Sequence, residues 1–266
     1  MRRSWRIFVL GATLCAGLVG VGCDAPTGSG EGPGHRAQDL ALSPQQELEL
    51  GRQAYRQVLT NPRQYGRPVA ADRPEVQRVR GIAERIVHAA GIEPLQREMH
   101  LRKGYRYEWE VNVLESGQVN AFCLPGGKMV VFRGLLKVAR KDDHLATVIA
   151  HEMAHALAHH ASERVAREEQ NRGAPGGFWN RAYDREQEAE ADHIGLFLMT
   201  FAGYDPADAV RFWELMEQAT GGRQQLPEIL SDHPSNAHRI QNLKEWVPKA
   251  KAAKQAFDQG RVAPPR

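Results

Sequence analysis

The sequence predicts an α+β fold: a mostly helical body with a small β-sheet placed ahead of its central helix. Two observations carry this. Apolar residues recur at helical spacing in both halves of the chain, while residues 105–132 switch to the alternation of strands. The order of helices, a short strand cluster, then helices describes one α+β domain rather than an alternating α/β chain. No internal repeat is visible.

The first helix opens at Ser43. Ser43 can cap it, Pro44 suits its first turn, and Gln46 stands where a capping box is completed. Leu48, Tyr55, Val58 and Leu59 give it an apolar face. A second helix covers 74–90, with Val76, Val79, Ile82, Ala83, Ile86 and Val87 at helical spacing and Gly91 to end it. Tyr105 to Val113 alternates large apolar and polar residues, which predicts a strand. Val119–Phe122 and Met129–Phe132 predict two more, joined by the turn Leu124-Pro125-Gly126-Gly127. After Gly134 helical spacing returns, and Asp142 or Asp143 can cap a long helix reaching about Arg167. Residues 171–179 read as a flexible loop. Further helices follow from about Asp184 to Phe201, from Asp205-Pro206 onward, and over about Ser235 to Trp246. The Lys/Ala-rich tail after Pro248 is expected to fray.

The 266 residues are 42% hydrophobic and 25% charged, which suits one folded domain with extra segments. The net charge is +3, yet Arg2, Arg3 and Arg6 lie in an acid-free start. Removing them from the 35 basic residues matches the 32 acidic ones, so no basic face speaks for a nucleic-acid partner. Of the three cysteines, Cys15 and Cys23 sit in or beside the apolar start, leaving Cys123 alone in the body. No internal disulfide framework is expected there, and Cys123 reads as a small residue in a half-buried strand rather than a nucleophile.

Residues 1–22 join a basic start to an apolar run from Ile7 to about Val21, too short for an ordinary membrane span and matched to an export signal. Small residues before Cys23 and a Gly/Pro-rich stretch after it resemble a bacterial lipoprotein signal, with Cys23 as the lipidated residue. Gly20 departs from that pattern, which usually has Leu. A plain cleaved signal or an uncleaved anchor is the alternative, and the Arg2-Arg3 start faintly resembles a twin-arginine signal. The expected layout is a signal over 1–22, a flexible tether over 23–42, a folded domain over 43–247 and a tail over 248–266. The expected location is the periplasm, with membrane contact only through the N-terminal lipid anchor.

The chemistry concentrates in His151-Glu152-Met153-Ala154-His155. Two histidines four apart on a helix share one face, one turn apart, and can chelate a single cation. Glu152 projects beside them. It is poorly placed to join the same tetrahedral shell and well placed to take a proton from a metal-activated water, the division of labour of a zinc hydrolase. Leu145, Val148, Ile149, Ala150, Ala154, Ala156, Leu157 and Ala158 make this helix apolar enough to be buried, and buried histidines need partners. One zinc ion is therefore the expected cofactor. A third ligand is expected in Glu186-Gln187-Glu188-Ala189-Glu190-Ala191-Asp192. Glu188 and Asp192 share a face; Glu186 and Glu190 form the competing pair. Glu188 is favoured as ligand, because Asp192 one turn on could accept the free N–H of a zinc-bound histidine. His159 and His160 read as non-ligands.

HEMAH followed by EAEAD, with Val119 to Gly127 before and Asp232-His233-Pro234-Ser235 and Arg239-Ile240 after, resembles the gluzincin metallopeptidases of the HtpX, Oma-type and CAAX-prenyl-protease group. The resemblance covers about residues 43–247, and the Ser43-to-Gly51 segment is similar to exported BepA- and LoiP-like members. It implies a zincin-type metallopeptidase fold, with His151, His155 and Glu188 as zinc ligands and Glu152 as general base. It implies that the edge strand at Asn120 and Ala121 lines a cleft where an extended peptide could add. It implies a role for His233 in stabilising an oxyanion or in binding zinc in a latent state, beside a surface or helix-capping role, and a supporting role for Arg239. The expected function is a zinc-dependent endopeptidase of the cell envelope acting on proteins or peptides, with protein quality control as the role family analogy suggests. The rival is a zinc-stabilised, non-proteolytic chaperone or scaffold lipoprotein, in which four protein ligands close the metal shell.

Overall fold

A computed structural model describes residues 30–31, 37–102, 104–170, 184–220, 228–233 and 237–261. The expected signal segment, Cys23 and the loop 171–179 lie outside these residues. Helix α1 (Pro44–Thr60) starts as its sequence dictates: Ser43 accepts from the Gln46 backbone N–H, and the Gln46 side chain accepts from Ser43 N–H at 2.8 Å. Its buried face is Glu47, Leu48, Gly51, Ala54, Tyr55 and Val58. A short helix α2 (Pro62–Tyr65) follows, then α3 (Pro74–Ala90), whose buried residues fall at the expected helical spacing, and α4 (Glu93–Glu98).

A two-residue pair, β1 (Gly30–Glu31) with β2 (Ala37–Gln38), precedes α1. The main sheet has three strands, β3 (Glu110–Leu114), β4 (Ala121–Leu124) and β5 (Lys128–Phe132), in the order β3-β5-β4. The central β5 runs parallel to β3 and antiparallel to β4, with Glu110 opposite Lys128 and Leu124 opposite Lys128. Between β4 and β5 the chain turns through Pro125–Gly127, with φ of 73° at Gly126 and 92° at Gly127, a conformation open to glycine. The expected strand from Tyr105 is thus shorter. Its ladder partner begins only at Lys128, so residues 105–109 stay extended without one; Glu108 N–H bonds the Gly126 carbonyl at 2.7 Å, and Tyr107 stacks on Trp109.

After α5 (Arg133–Leu136) comes the central helix α6 (Asp142–Leu157), whose residues from His144 to Leu157 are all buried. Such a helix is packed on all sides, and its polar residues His144, Thr147, His151, Glu152 and His155 are buried with the apolar ones. Its cap is Lys141 without a side-chain bond; Asp142 and Asp143 lie in the first turn, where their charge favours the helix start. The expected single helix to Arg167 is instead two. The chain breaks after Leu157, His159 takes φ 56°, and α7 (His160–Gln170) leaves in a new direction. No glycine or proline marks that break. Tertiary contacts hold it: His159 Nδ1 meets Glu47 Oε2 of α1 at 3.0 Å, and its ring lies 3.7 Å from that of Tyr105.

Helix α8 (Arg185–Phe201) is capped by Asp184 in a second capping box with Gln187 and packs along α6. The helices α9 (Ala207–Thr220), α10 (Glu228–Asp232) and α11 (Ala237–Asp258) complete the fold. The expected fraying after Pro248 does not occur before Asp258. Ala250 is fully buried, so apolar packing carries the helix through the proline. Among the described residues no helix is long and apolar enough to cross a membrane.

Candidate metal centre

The i, i+4 spacing on α6 brings the rings of His151 and His155 to 4.7 Å, with their Nε2 atoms 3.1 Å apart. Glu188 reaches them from α8, which can lie this close because residue 195 is glycine. A Cβ there would stand 3.0 Å from the His151 nitrogen. Glu188 Oε2 is 3.4 Å from His151 Nε2, and its Oε1 is 3.5 Å from His155 Nε2. His233, just past α10, adds Nδ1 at 3.2 Å from His151 Nε2 and 2.9 Å from Glu188 Oε1. One atom from each of these four residues lies within 4.8 Å of the others, and all four residues are buried.

These separations test the fit of a metal. Ligands about 2.0–2.1 Å from a tetrahedral zinc stand about 3.3 Å from one another. Five of the separations, taken to one or the other Glu188 oxygen, fall between 2.9 and 3.5 Å, and the four donors all lie within 4.8 Å of one another. Three imidazole nitrogens and a carboxylate converge here, and Glu188 Oε2 has only long contacts, to His151 Nε2 at 3.4 Å and to Arg239 Nη1 at 3.5 Å. Packing these lone pairs together is costly without a cation between them, so the donor set fits zinc.

A second layer holds the donors. His151 Nδ1 meets Asp192 Oδ1 at 2.9 Å, and Arg239 Nη2 donates to the same oxygen at 2.6 Å. The Arg239 guanidinium also lies 3.4 Å over the ring of buried Trp213. His155 Nδ1 meets His160 Nδ1 at 2.7 Å, and His160 Nε2 meets Glu190 Oε2 at 3.1 Å.

The local electrostatics follow. Burial lowers the His151 imidazole, but the hydrogen bonds it donates to Asp192 and Glu188 outweigh this and raise the group to about 9. Burial and the neighbouring His151 drive His155 well below the usual histidine range. Glu188 is held well below the usual carboxylate range: burial opposes this, and the charges and hydrogen bonds of His233 and His151 prevail. Glu152 is the opposite case. Burial raises its carboxyl, against the pull of His233 and His151, which suits a proton acceptor. Its Oε1 lies 3.2 Å from His233 Nε2. Burial pushes the Cys123 thiol far up, so it has no thiolate character.

The structure therefore brings His151, Glu152, His155, Glu188, Asp192, His233 and Arg239 into one cluster. His233 is 2% exposed, so a surface role for it is corrected. Glu186 is exposed, while Glu190 is buried. Asn120 donates from Nδ2 to Asp232 Oδ2 at 2.8 Å, which ties the strand to the segment bearing His233. Ala121 opens β4, where its N–H bonds Asn120 Oδ1. Just before it, the Val119 carbonyl accepts from Ile229 N–H, so α10 already covers that stretch of edge. The sequence marks Glu190 only as a competing ligand and His160 only as a non-ligand, and assigns Trp213 no place at the site. The doubled histidine after HEMAH was the available signal for His160, but a continuous helix points it away from His155.

Peptidase family M48 matches residues 78–173 and 176–247. The mitochondrial metalloendopeptidase OMA1 of Schizosaccharomyces pombe is 32% identical over 231 residues, covering 80% of this chain and 64% of that protein. The Saccharomyces cerevisiae protein of the same name is 32% identical over 238 residues, covering 81% and 68%. The beta-barrel assembly-enhancing protease of Escherichia coli is 26% identical over 159 residues, covering 48% and 32%. The chain thus spans about two thirds of the yeast relatives and a third of the bacterial one. These names overturn the expected location: the two yeast relatives carry mitochondrial names, against the expectation of a bacterial periplasm.

Proposed function

Because the chain belongs to peptidase family M48, we propose that it is a zinc metalloendopeptidase that hydrolyses peptide bonds in protein or peptide substrates. One observation carries the reading: four buried donors from α6, α8 and the segment after α10 converge within 4.8 Å of one another, with the Glu152 carboxylate beside them. His151, His155 and Glu188 hold one zinc ion. When bound, zinc supplies Lewis acidity, polarising a carbonyl and making water a competent nucleophile near neutral pH. Glu152 takes the proton from the attacking water and returns it to the leaving amine. Asp192 fixes the orientation of His151, and Arg239 fixes Asp192. The catalytic unit starts at Ser43, ahead of the family match, because α1 anchors His159 through Glu47.

A second reading, a closed structural zinc site in a non-proteolytic scaffold, is favoured by His233 Nδ1 standing among the donors. Against it stands Glu152, a buried carboxylate with a raised pKa that a structural site does not use. In the peptidase reading His233 must leave the donor set for a substrate carbonyl to enter. The test is hydrolysis of denatured protein, with chelation, zinc re-addition and a His233→Ala variant. We expect chelation to abolish cleavage, zinc to restore it, and His233→Ala to keep both zinc and cleavage. A quality-control role adds that denatured protein is cut and folded protein is not. Loss of zinc from His233→Ala, with no cleavage by any form, supports the scaffold instead.

A further inference from the structure

We propose that Glu190 and His160 form a hydrogen-bonded relay that sets the tautomer of His155, leaving its Nε2 bare toward the metal position. The proposal rests on the zinc reading above. Its starting point is that His160 is fully buried, with His155 Nδ1 at 2.7 Å from its Nδ1 and Glu190 Oε2 at 3.1 Å from its Nε2. A carboxylate only accepts, so the proton on the Glu190 bond belongs to His160 Nε2. A neutral His160 then has its lone pair on Nδ1, and that lone pair accepts the Nδ1–H of His155. With its proton on Nδ1, His155 presents an unprotonated Nε2, which stands 3.1 Å from His151 Nε2 and 3.5 Å from Glu188 Oε1.

The backbone is shaped to make this contact. On a continuous helix, residues five apart point about 140° away from each other, so His160 would face away from His155. The break after Leu157 and the left-handed His159, φ 56°, turn the chain back and bring the His160 ring to 4.9 Å from that of His155. A non-glycine residue adopts that conformation only when its surroundings hold it. Glu47 and Tyr105 do so here. Helix α8 thereby serves the centre three times in five residues. Glu188 enters the donor set, Asp192 acts directly on His151, and Glu190 acts on His155 through His160. His160 and Glu190 are positioning residues; neither belongs to the donor set.

The experiment has two arms on the full chain. In the metal-free protein, at mildly alkaline pH, imidazole-nitrogen NMR reads the tautomer of His155. We expect the proton on Nδ1 in the unsubstituted protein, moving to Nε2 for much of the population in His160→Phe, which fills the space but cannot accept. In the second arm, chelator competition reads zinc affinity. We expect His160→Phe to bind about 10–100-fold more weakly, as loss of a partner to a metal-bound histidine does. His160→Asn, with an oxygen near the lost Nδ1, recovers most of the affinity. A packing role gives the reverse order, because asparagine leaves the larger void, and that order overturns the proposal. So does an Nε2–H His155 in the unsubstituted protein. If His160→Phe does not fold, the unsubstituted protein and His160→Asn still decide the tautomer. If the unsubstituted protein binds no zinc, the peptidase reading falls while the NMR arm still decides the relay.

Discussion

Two glycines in helices of this protein should respond to the same substitution with opposite signs. Gly81 in α3 is exposed, and a Cβ there meets nothing within 4 Å. Gly81→Ala therefore gains only the helix preference of alanine and the reduced freedom of the unfolded chain, about 0.5–1 kcal/mol of stability. Gly195 in α8 lies against α6, where the same Cβ would stand 3.0 Å from the His151 nitrogen and 3.1 Å from the Ala150 carbonyl carbon and the His151 Cα. Carbon contacts are optimal at about 3.5–4.0 Å, so the two helices must part by about half an ångström. Backbone atoms cannot step aside as a side-chain tip can. Overpacking of this kind costs about 1–3 kcal/mol, which outweighs the helix gain and leaves a net loss of about 0–2 kcal/mol. The displaced residue is His151, and metal sites tolerate about 0.2 Å, so zinc affinity should fall at least about tenfold. Urea denaturation of the metal-free protein and chelator competition for zinc read the two effects. Equal stabilisation by both substitutions, or unchanged zinc affinity in Gly195→Ala, would refute the reasoning.

Two further outcomes follow from the layer behind the donors. Asp192→Ala removes the acceptor of His151 Nδ1 and leaves the buried guanidinium of Arg239 without that oxygen. Zinc affinity should drop about 10–100-fold, with a thermal-stability loss of about 3–5 kcal/mol for the broken buried pair, measured by competition and by denaturation. Zinc binding should also be proton-linked. The metal-free His151 is raised to about 9, so below that pH it carries a proton that zinc must displace. Affinity should rise with pH up to about 9 and then level, and calorimetry in buffers of different ionisation enthalpy should show proton release near neutral pH. In the metal-free fold the sign is that of a raised histidine: its stabilising charge is complete below the unfolded value and is lost as pH climbs through about 9.

Much of this arrangement was legible in the sequence where a local rule governs it. The capping box at Ser43, the helix start near Asp184, the apolar face of α3, and the i, i+4 pairs His151/His155 and Glu188/Asp192 follow from spacing within one helix. The rest depends on contacts far along the chain. The break at His159 has no helix breaker in it; it exists because Glu47, over a hundred residues earlier, binds the ring. The missing ladder at residues 105–109 reflects where the partner strand begins, which strand alternation does not encode. The continuation of α11 past Pro248 comes from burial of Ala250. His160 shows the consequence for function: read as a continuous helix, the sequence points it away from the site it supports.

The central claim is a division of labour on one helix turn, with His151 and His155 holding the metal and Glu152 moving the proton. Glu152→Gln, assayed side by side for zinc content and for peptide hydrolysis, tests it most directly. The account expects one zinc per chain retained and hydrolysis reduced about 10²–10⁴-fold, the usual contribution of a general base. Hydrolysis at the unsubstituted rate by the zinc-loaded variant would contradict it.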